Sequence, residues 1–310
     1  MTNAMAVLPS YGRMLDRPLL AARVVRRYYR KYGRLPELFP PRKYSEKITY
    51  RKLYDRRPYL TLTSDKFAVR EYARGVLGED LAPELYFRTT DPRTIPFETL
   101  PRQFVVKATH GSGWNELVRD ARTVDHAALI ATCERWLRSN YARRRDEWAY
   151  EHIPRQIIVE ELLDDGDGRS PQDIKVLVFN QRVRIVQIDV DRFGDHRRLF
   201  FDAQWNVMPI HDFVPQIGTR PDPPSRLGDI IRYAEALGRD TDFLRVDFYQ
   251  VADRVCFGEM THTPGSGLSP IYPSIWDDRW GAWWEMSTNR DGESTSNRAS
   301  ATDNAETTAE

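Results

Sequence analysis

The sequence predicts an α+β protein. Helical patterns crowd residues 18–74, and short strand patterns dominate from residue 104 onward. Two pairs of those strands meet across turns short enough for hairpins. Local pairing of this kind, with the helices set apart, favours packed layers of helix and antiparallel sheet over an alternating parallel fold.

The bounds are consistent with that reading. A chain of 310 residues, 41% hydrophobic, can bury a substantial core in one large or two ordinary domains. Basic residues number 46 against 45 acidic, a formal charge of +1, which argues against non-specific nucleic-acid binding. Two cysteines, Cys133 and Cys256, make a disulfide framework unlikely to be the source of stability, and they fit a reducing, cytoplasmic compartment. The sequence has no apolar run long enough to span a membrane and no secretory leader pattern at its start.

In chain order, residues 18–33 read as a basic helix, with Arg23, Arg26, Arg27, Arg30 and Lys31 opposite Leu20, Val24, Val25 and Tyr28. Such a helix either lies on an anionic membrane face or packs on its own domain. Prolines 36, 40 and 41 break the chain, and residues 45–54 follow as a helix with Ser45 as its N-cap. Another helix opens at Ser64-Asp65-Lys66 and ends near Gly75 and Gly78. Residues 80–103 alternate loop and short strand. Residues 104–108 form a strand that enters the glycine-bearing loop 110–115, and residues 124–141 form a helix. Residues 157–159 are a buried strand running into Glu160 and Glu161, followed by a polar turn at 164–170. Residues 174–179 and 183–190 pair across Asn180-Gln181, and a charged loop then carries Arg192, His196, Arg197 and Arg198. A helix lies within 224–237. Strands at 244–249 and 255–257 pair across a turn at 252–254. From residue 287 the composition is polar, without large apolar side chains, and reads as a disordered tail.

The chemistry gathers on these strands. Pairing of the last hairpin brings Asp247 and Glu259 together, and two close carboxylates need an offsetting charge. Mg²⁺ supplies one, since it takes one or two carboxylates together with phosphate oxygens. Arg245, two residues before Asp247, leaves the same strand face. The plainer alternative is an ordinary hairpin with a solvated Arg–Asp pair. Lys107 and Lys175 also stand on strands. Lys107 precedes the loop His110-Gly111-Ser112-Gly113, an arrangement suited to neutralising and covering nucleotide phosphates, although neither the GxxxxGK[ST] nor the GxGxxG order is present. Glu160 is either plain surface or an acid that accepts from an adenine amino group. The small-residue loop holding Thr263, Gly265 and Ser266 lets backbone N–H groups approach a ligand. The histidines form no zinc pattern, Ser266 lacks nucleophile-elbow spacing, and both cysteines read as core thiols.

Taken in order, PRKYSEKI, DKFAVREY, FVVKATHGSGWN, IIVEELL, DIKVLVFN, DRFGDHRRLFFDAQWN and RVDFYQV…FGEMTHTPGSG resemble the ATP-grasp superfamily. The closest likeness is to its TupA-like branch, named for teichuronopeptide biosynthesis, and it spans about residues 39–284. The resemblance implies an ATP-grasp fold: two α+β lobes with ATP between them, preceded by a mainly helical region. The implied organisation is a helical region 1–62, a helix and linker 63–103, a first lobe 104–164, a second lobe 165–286 and the tail 287–310. It implies phosphate contacts from Lys107 and Lys175, with Lys66 or Arg70 as a further cation. Glu160 would meet the adenine amino group, with the backbone of Glu161 to Leu163 as hinge and Asp173 on the ribose. Arg245 would steady an acyl-phosphate, with Lys175 beside it, and Asp247 and Glu259 would hold Mg²⁺. Thr261 stands where many members carry a metal-binding Asn, which puts a second metal position in doubt.

The implied activity is ATP- and Mg²⁺-dependent carboxylate–amine ligation on small-molecule substrates or on a uronic-acid or polyglutamate polymer of the cell surface. Arg192 and His196, with Thr263, Gly265 and Ser266, are the candidate substrate contacts. The competing functions are a surface-polysaccharide glycosyltransferase, for which Asp189-Val190-Asp191 would be the metal motif, and a non-catalytic nucleotide-binding scaffold at the inner membrane face.

Overall fold

The computed structural model describes residues 18–164, 171–191 and 194–286. Arg192, the polar tail and most of the turn at 164–170 therefore lie outside the described residues.

Two antiparallel sheets organise the chain. The first is four-stranded, β1 (Leu85–Thr89), β2 (Phe104–Ala108), β3 (Asn115–Val118) and β4 (Ile157–Glu161), in the spatial order β1-β4-β2-β3. The second is five-stranded, β5 (Asp173–Phe179), β6 (Arg182–Val190), β7 (Arg197–Phe201), β8 (Phe243–Val251) and β9 (Arg254–Thr261), in the order β7-β6-β5-β8-β9. The first sheet reaches back into the stretch 80–103, because β1 pairs with β4 along Leu85–Thr89. The β5–β6 turn has Asn180 and Gln181 at φ 45 and 65, the left-handed pair that matches the twist of a tight hairpin.

Eight helices flank the sheets among the described residues: α1 (Pro18–Tyr32), α2 (Tyr44–Tyr54), α3 (Pro58–Ser64), α4 (Ala68–Leu77), α5 (His126–Arg138), α6 (Tyr141–Arg145), α7 (Leu227–Leu237) and α8 (Ile275–Trp283). The first sheet packs on α5 through Leu129, Cys133 and Trp136. One face of the second sheet, with Val176, Val178, Val246 and Phe248, packs on α4 and α7. Its other face divides in two. Leu177, Phe179 and Phe243 at one end are covered by Tyr44 and Ile48 of α2 and by Trp276, Trp280 and Trp284 in and after α8. The remaining end of that face carries the polar residues described below.

Several local expectations change. Ser45 lies inside α2 and does not cap it. The Glu46 carboxylate accepts from the Lys43 and Arg42 amides at 3.0 and 3.2 Å, which frees the Ser45 hydroxyl to donate to Asp277 at 2.7 Å. Ser64 ends α3, and residues 65–67 join it to α4 without opening a helix. Gly75 lies within α4, and Gly78 caps it at φ 75. The helix expected at 124–141 is shorter, with Asp125 as N-cap accepting from Ala128 N at 3.0 Å. Arg197 and Arg198 belong to strand β7, not to a loop. No helix was anticipated at α8.

The basic helix α1 packs on its own chain. Val24 and Tyr28 are buried, and Arg23 and Arg27 both pair with Asp146. Leu20 and Val25 of the same stripe are half-buried. No helix among the described residues is long and apolar enough to cross a membrane.

Candidate nucleotide site between the two sheets

Register decides what faces what. In the second sheet Lys175 lies directly opposite Gln187 on one side and Asp247 on the other, and Asp247 lies opposite Glu259. One transverse row thus reads Gln187, Lys175, Asp247, Glu259. The next row on one side holds Arg245 opposite Thr261, and the next row on the other side holds Asp173 opposite Asp189. Side chains in alternate positions leave one face, so these rows form a single polar surface.

A bulge makes this possible on β9. Phe248 pairs with Phe257 while Asp247 pairs with Glu259, which leaves Gly258 as the extra residue. Phe257 faces the α4–α7 core and is 1% exposed. On an unbroken strand Glu259, two residues on, would follow it inward. The inserted residue reverses the phase and turns Glu259 outward. A side chain at Gly258 would press on the Asp247 carbonyl at 3.0 Å.

A cleft separates this surface from the first sheet. From that sheet it receives Val105, Lys107, Asn115, Leu117 and Glu160, and from the second Asp173, Asp247, Tyr249 and Glu259. Lys66, Arg70, Ser112, Gly113 and the segment Glu161 to Leu163 complete its walls. The cleft thus combines apolar side chains with interleaved cations and carboxylates, Glu160 among Lys107 and Arg70 and Glu259 near Lys66.

Each charged group is held. Glu160 is buried between Lys107 and Arg70, the latter at 3.1 Å. Lys66 donates to the Gly111 carbonyl at 2.6 Å and lies 3.8 Å from Glu259. Burial pulls the Lys66 ammonium below its usual range, and Glu259 offsets part of this. Lys175 donates to Asp173 at 2.8 Å and pairs with Asp189, also at 2.8 Å. Asp189 is held in turn by Arg198, which also pairs with Asp212. Burial would raise the Asp189 carboxyl, but Arg198 and Lys175 hold it well below the usual carboxylate range.

Arg245 donates to both oxygens of Asp247, at 2.6 and 2.8 Å, and to Glu259 at 2.9 Å. Burial opposes its charge, yet Asp247 and Glu259 raise it well above the ordinary guanidinium range. Asp247 is deep, with 5% of its side chain exposed, whereas Glu259 is 31% exposed toward the cleft. Burial raises the Asp247 carboxyl, against the pull of Arg245 and Lys175. Thr261 donates to Glu259 at 3.0 Å. No group of three or more His, Cys, Asp or Glu suited to a metal occurs among the described residues. The donor set is a carboxylate pair, which fits Mg²⁺ when phosphate oxygens complete its shell.

Other expected contacts point elsewhere. His110 is buried, bonds the Trp136 carbonyl at 3.1 Å and does not line the cleft. Its neighbour Gly111 takes part through its carbonyl only. His196 lies 3.5 Å from Asp189, and Arg198 is committed to its ion pairs, so the charged segment supports Lys175 from behind. Thr263 and Ser266 turn away toward Glu147 and α2, and Gly265 shapes that turn at φ 57. The Asp189–Asp191 pattern makes no metal pair: Asp189 is ion-paired, and Asp191 accepts from the Asp195 amide at 2.8 Å. Val105, Asn115, Leu117 and Tyr249 line the cleft without having been expected there, although Tyr249 follows Asp247 at the strand's own period of two.

The sequence profile described as TupA-like ATPgrasp matches residues 46–284. The chain belongs to the TupA-like ATP-grasp family. A search of curated proteins found no match. Among solved structures, it is similar to D-alanine–D-alanine ligase from Bacillus anthracis complexed with ATP, at 14% identity over 65% of this chain and 55% of that one, with a TM-score of 0.40. It is similar to the Helicobacter pylori D-alanine–D-alanine ligase at 11% identity, over 79% and 67%, with a TM-score of 0.44. The ATP-grasp ligase PsnB, complexed with a precursor variant, Mg and ADP, matches at 13% identity over 77% and 67%, with a TM-score of 0.40. This TupA-like chain spans little more than half the length of the B. anthracis ligase.

Proposed function

We propose that this TupA-like ATP-grasp protein is an ATP-dependent carboxylate–amine ligase. Its product is an amide on a uronic-acid or polyglutamate chain of a cell-surface polymer. The observation that carries the reading is the carboxylate pair Asp247–Glu259 sharing one cleft with Lys66, Arg70 and Lys107, while Lys175 lies beside Asp247 in the sheet and Arg245 bonds both carboxylates from behind the cleft wall.

The residues divide the work. Val105, Leu117 and Tyr249 flank the base, the Glu161–Leu163 backbone reads its edge, and Glu160 accepts from its amino group. Asp173 takes the ribose. Lys66, Lys107, Arg70 and Lys175 neutralise phosphate oxygens, and the Ser112–Gly113 loop covers them. Asp247 and Glu259, with Thr261 behind Glu259, would hold Mg²⁺, which when bound draws negative charge off the phosphates. A carboxylate oxygen attacks the γ-phosphorus, and the bond to ADP breaks. Arg245 stabilises the resulting acyl-phosphate. The amine then attacks the acyl carbon and phosphate leaves. The protein contributes position and fixed charge to both steps.

Hydroxylamine tests this directly, because it intercepts an acyl-phosphate as a hydroxamate. With Mg²⁺-ATP and glucuronate or oligoglutamate, the protein should release ADP and form hydroxamate in equal amounts. Turnover of a sugar nucleotide with no ATP cleavage would instead support the glycosyltransferase reading.

A further inference from the structure

A second, smaller cavity is linked to the cleft by one hydrogen bond, from Thr261 to Glu259. Its walls include Lys52 of α2, Glu147, Trp148 and Tyr150 from the turn after α6, and Thr261 and Thr263 at the end of β9. Thr261 lines this cavity and not the cleft, but its hydroxyl accepts from Arg245 at 3.1 Å and donates to Glu259, a wall residue of the cleft, at 3.0 Å. Tyr150, partly buried, feels the charges of Glu147, Glu259 and Arg245. The Thr261 hydroxyl therefore ties the wall of this cavity to Arg245 and Glu259.

Glu147 is the unusual residue in it. It is 8% exposed, and its carboxylate accepts from the Ser266 hydroxyl and from Thr263, both neutral. Among the described residues, no lysine or arginine nitrogen pairs with it within 4.0 Å. Lys52 is nearby but spends its ammonium hydrogens elsewhere, on the Arg145 carbonyl at 3.1 Å and on the Ser266 carbonyl and hydroxyl at 3.2 Å. Burial pushes the Glu147 carboxyl up, and Lys52, Ser266, Thr263 and the more distant charge of Arg145 only partly counter this. A buried carboxylate without a directly paired cation is costly, and a cationic ligand group removes that cost.

We propose that this cavity is the amine subsite: a primary amine enters it as the ammonium ion and is held by the Glu147 carboxylate beside Thr261 and Arg245. The proposal rests on the ligase reading and adds to it the location and charge state of the second substrate. The nitrogen attacks only after the ammonium ion gives up a proton, for which the Glu147 carboxylate is the acceptor in contact, and an anionic nucleophile would be repelled by that carboxylate.

The probe is methylammonium, added to the full chain loaded with Mg²⁺ and a non-hydrolysable ATP analogue, with thermal melting as readout and sodium chloride matching the ionic strength. Methylammonium should raise the melting temperature of the wild type. The concentration giving half the shift should rise tenfold or more in Glu147→Gln. Ala149→Leu fills the cavity without touching the carboxylate and should weaken the effect equally, which covers the case in which Glu147→Gln fails to fold. An equal shift from potassium chloride, no shift in the wild type, or an undiminished shift in a folded variant would overturn the amine subsite. The ATP analogue alone separates the two readings. If it fails to raise the melting temperature, the nucleotide site is wrong. If it succeeds and methylammonium does not, only the amine subsite falls.

Discussion

Asp247 and Glu259 stand opposite each other, yet their substitution should have unequal consequences for folding and similar consequences for catalysis. Glu259→Gln removes the charge of a side chain that is 31% exposed and accepts one hydrogen bond from Arg245 at 2.9 Å. A partly solvated pair of this kind contributes about 1 kcal/mol or less, and loss of the repulsion from Asp247 offsets some of it. Asp247→Asn acts on a carboxylate with 5% of its side chain exposed, held by two Arg245 hydrogen bonds at 2.6 and 2.8 Å. Removing one partner of a buried pair costs roughly 3–5 kcal/mol. Urea unfolding of the two variants should therefore differ by about 2 kcal/mol or more, Asp247→Asn being the weaker. Hydroxamate formation should fall by about a hundredfold or more in both, the scale expected for loss of a major electrostatic stabiliser. Turnover of Glu259→Gln within about threefold of wild type at saturating Mg²⁺ would refute the metal assignment. Equal destabilisation by the two substitutions would refute the depth argument.

The Asp189 carboxyl is depressed by Arg198 and Lys175 despite its burial. A carboxyl lowered in the folded state stabilises above its unfolded pKa of about 3.9, and that stability is lost as pH falls below it. Asp189→Asn should cost about 3 kcal/mol at neutral pH and flatten the fall in urea midpoint between about pH 4 and about pH 2. It should also raise the KM for ATP, because Lys175 loses one of its two carboxylate anchors. Gly111→Ala places a Cβ inside the Trp114 ring and displaces the carbonyl that Lys66 binds at 2.6 Å. It should destabilise by about 1–3 kcal/mol and weaken ATP binding measured by calorimetry. GTP should bind more weakly than ATP in the same experiment, since Glu160 is an acceptor and guanine offers it no amino group at that edge.

The sequence by itself determined much of this protein. Period-two patterning and turn residues placed Lys107, Lys175, Arg245 and Asp247 on strands, and the order of motifs indicated the ATP-grasp family. Such signals are legible because the alternation of a strand and the φ preferences of a turn are local. Long-range pairing was not legible. Nothing near Leu85 says that it joins β4, and nothing near Trp276 says that it covers α2 and β5. The charged segment 191–198 read as substrate-binding, but register places Arg198 against Asp189 and so behind Lys175. Glu259 shows the division most clearly. Its spacing from Phe257 assigns both to one strand face, and only the bulge at Gly258, fixed by pairing with β8, sends one into the core and the other into the cleft. One inserted residue reverses a strand's phase, and whether it is inserted is decided by the partner strand.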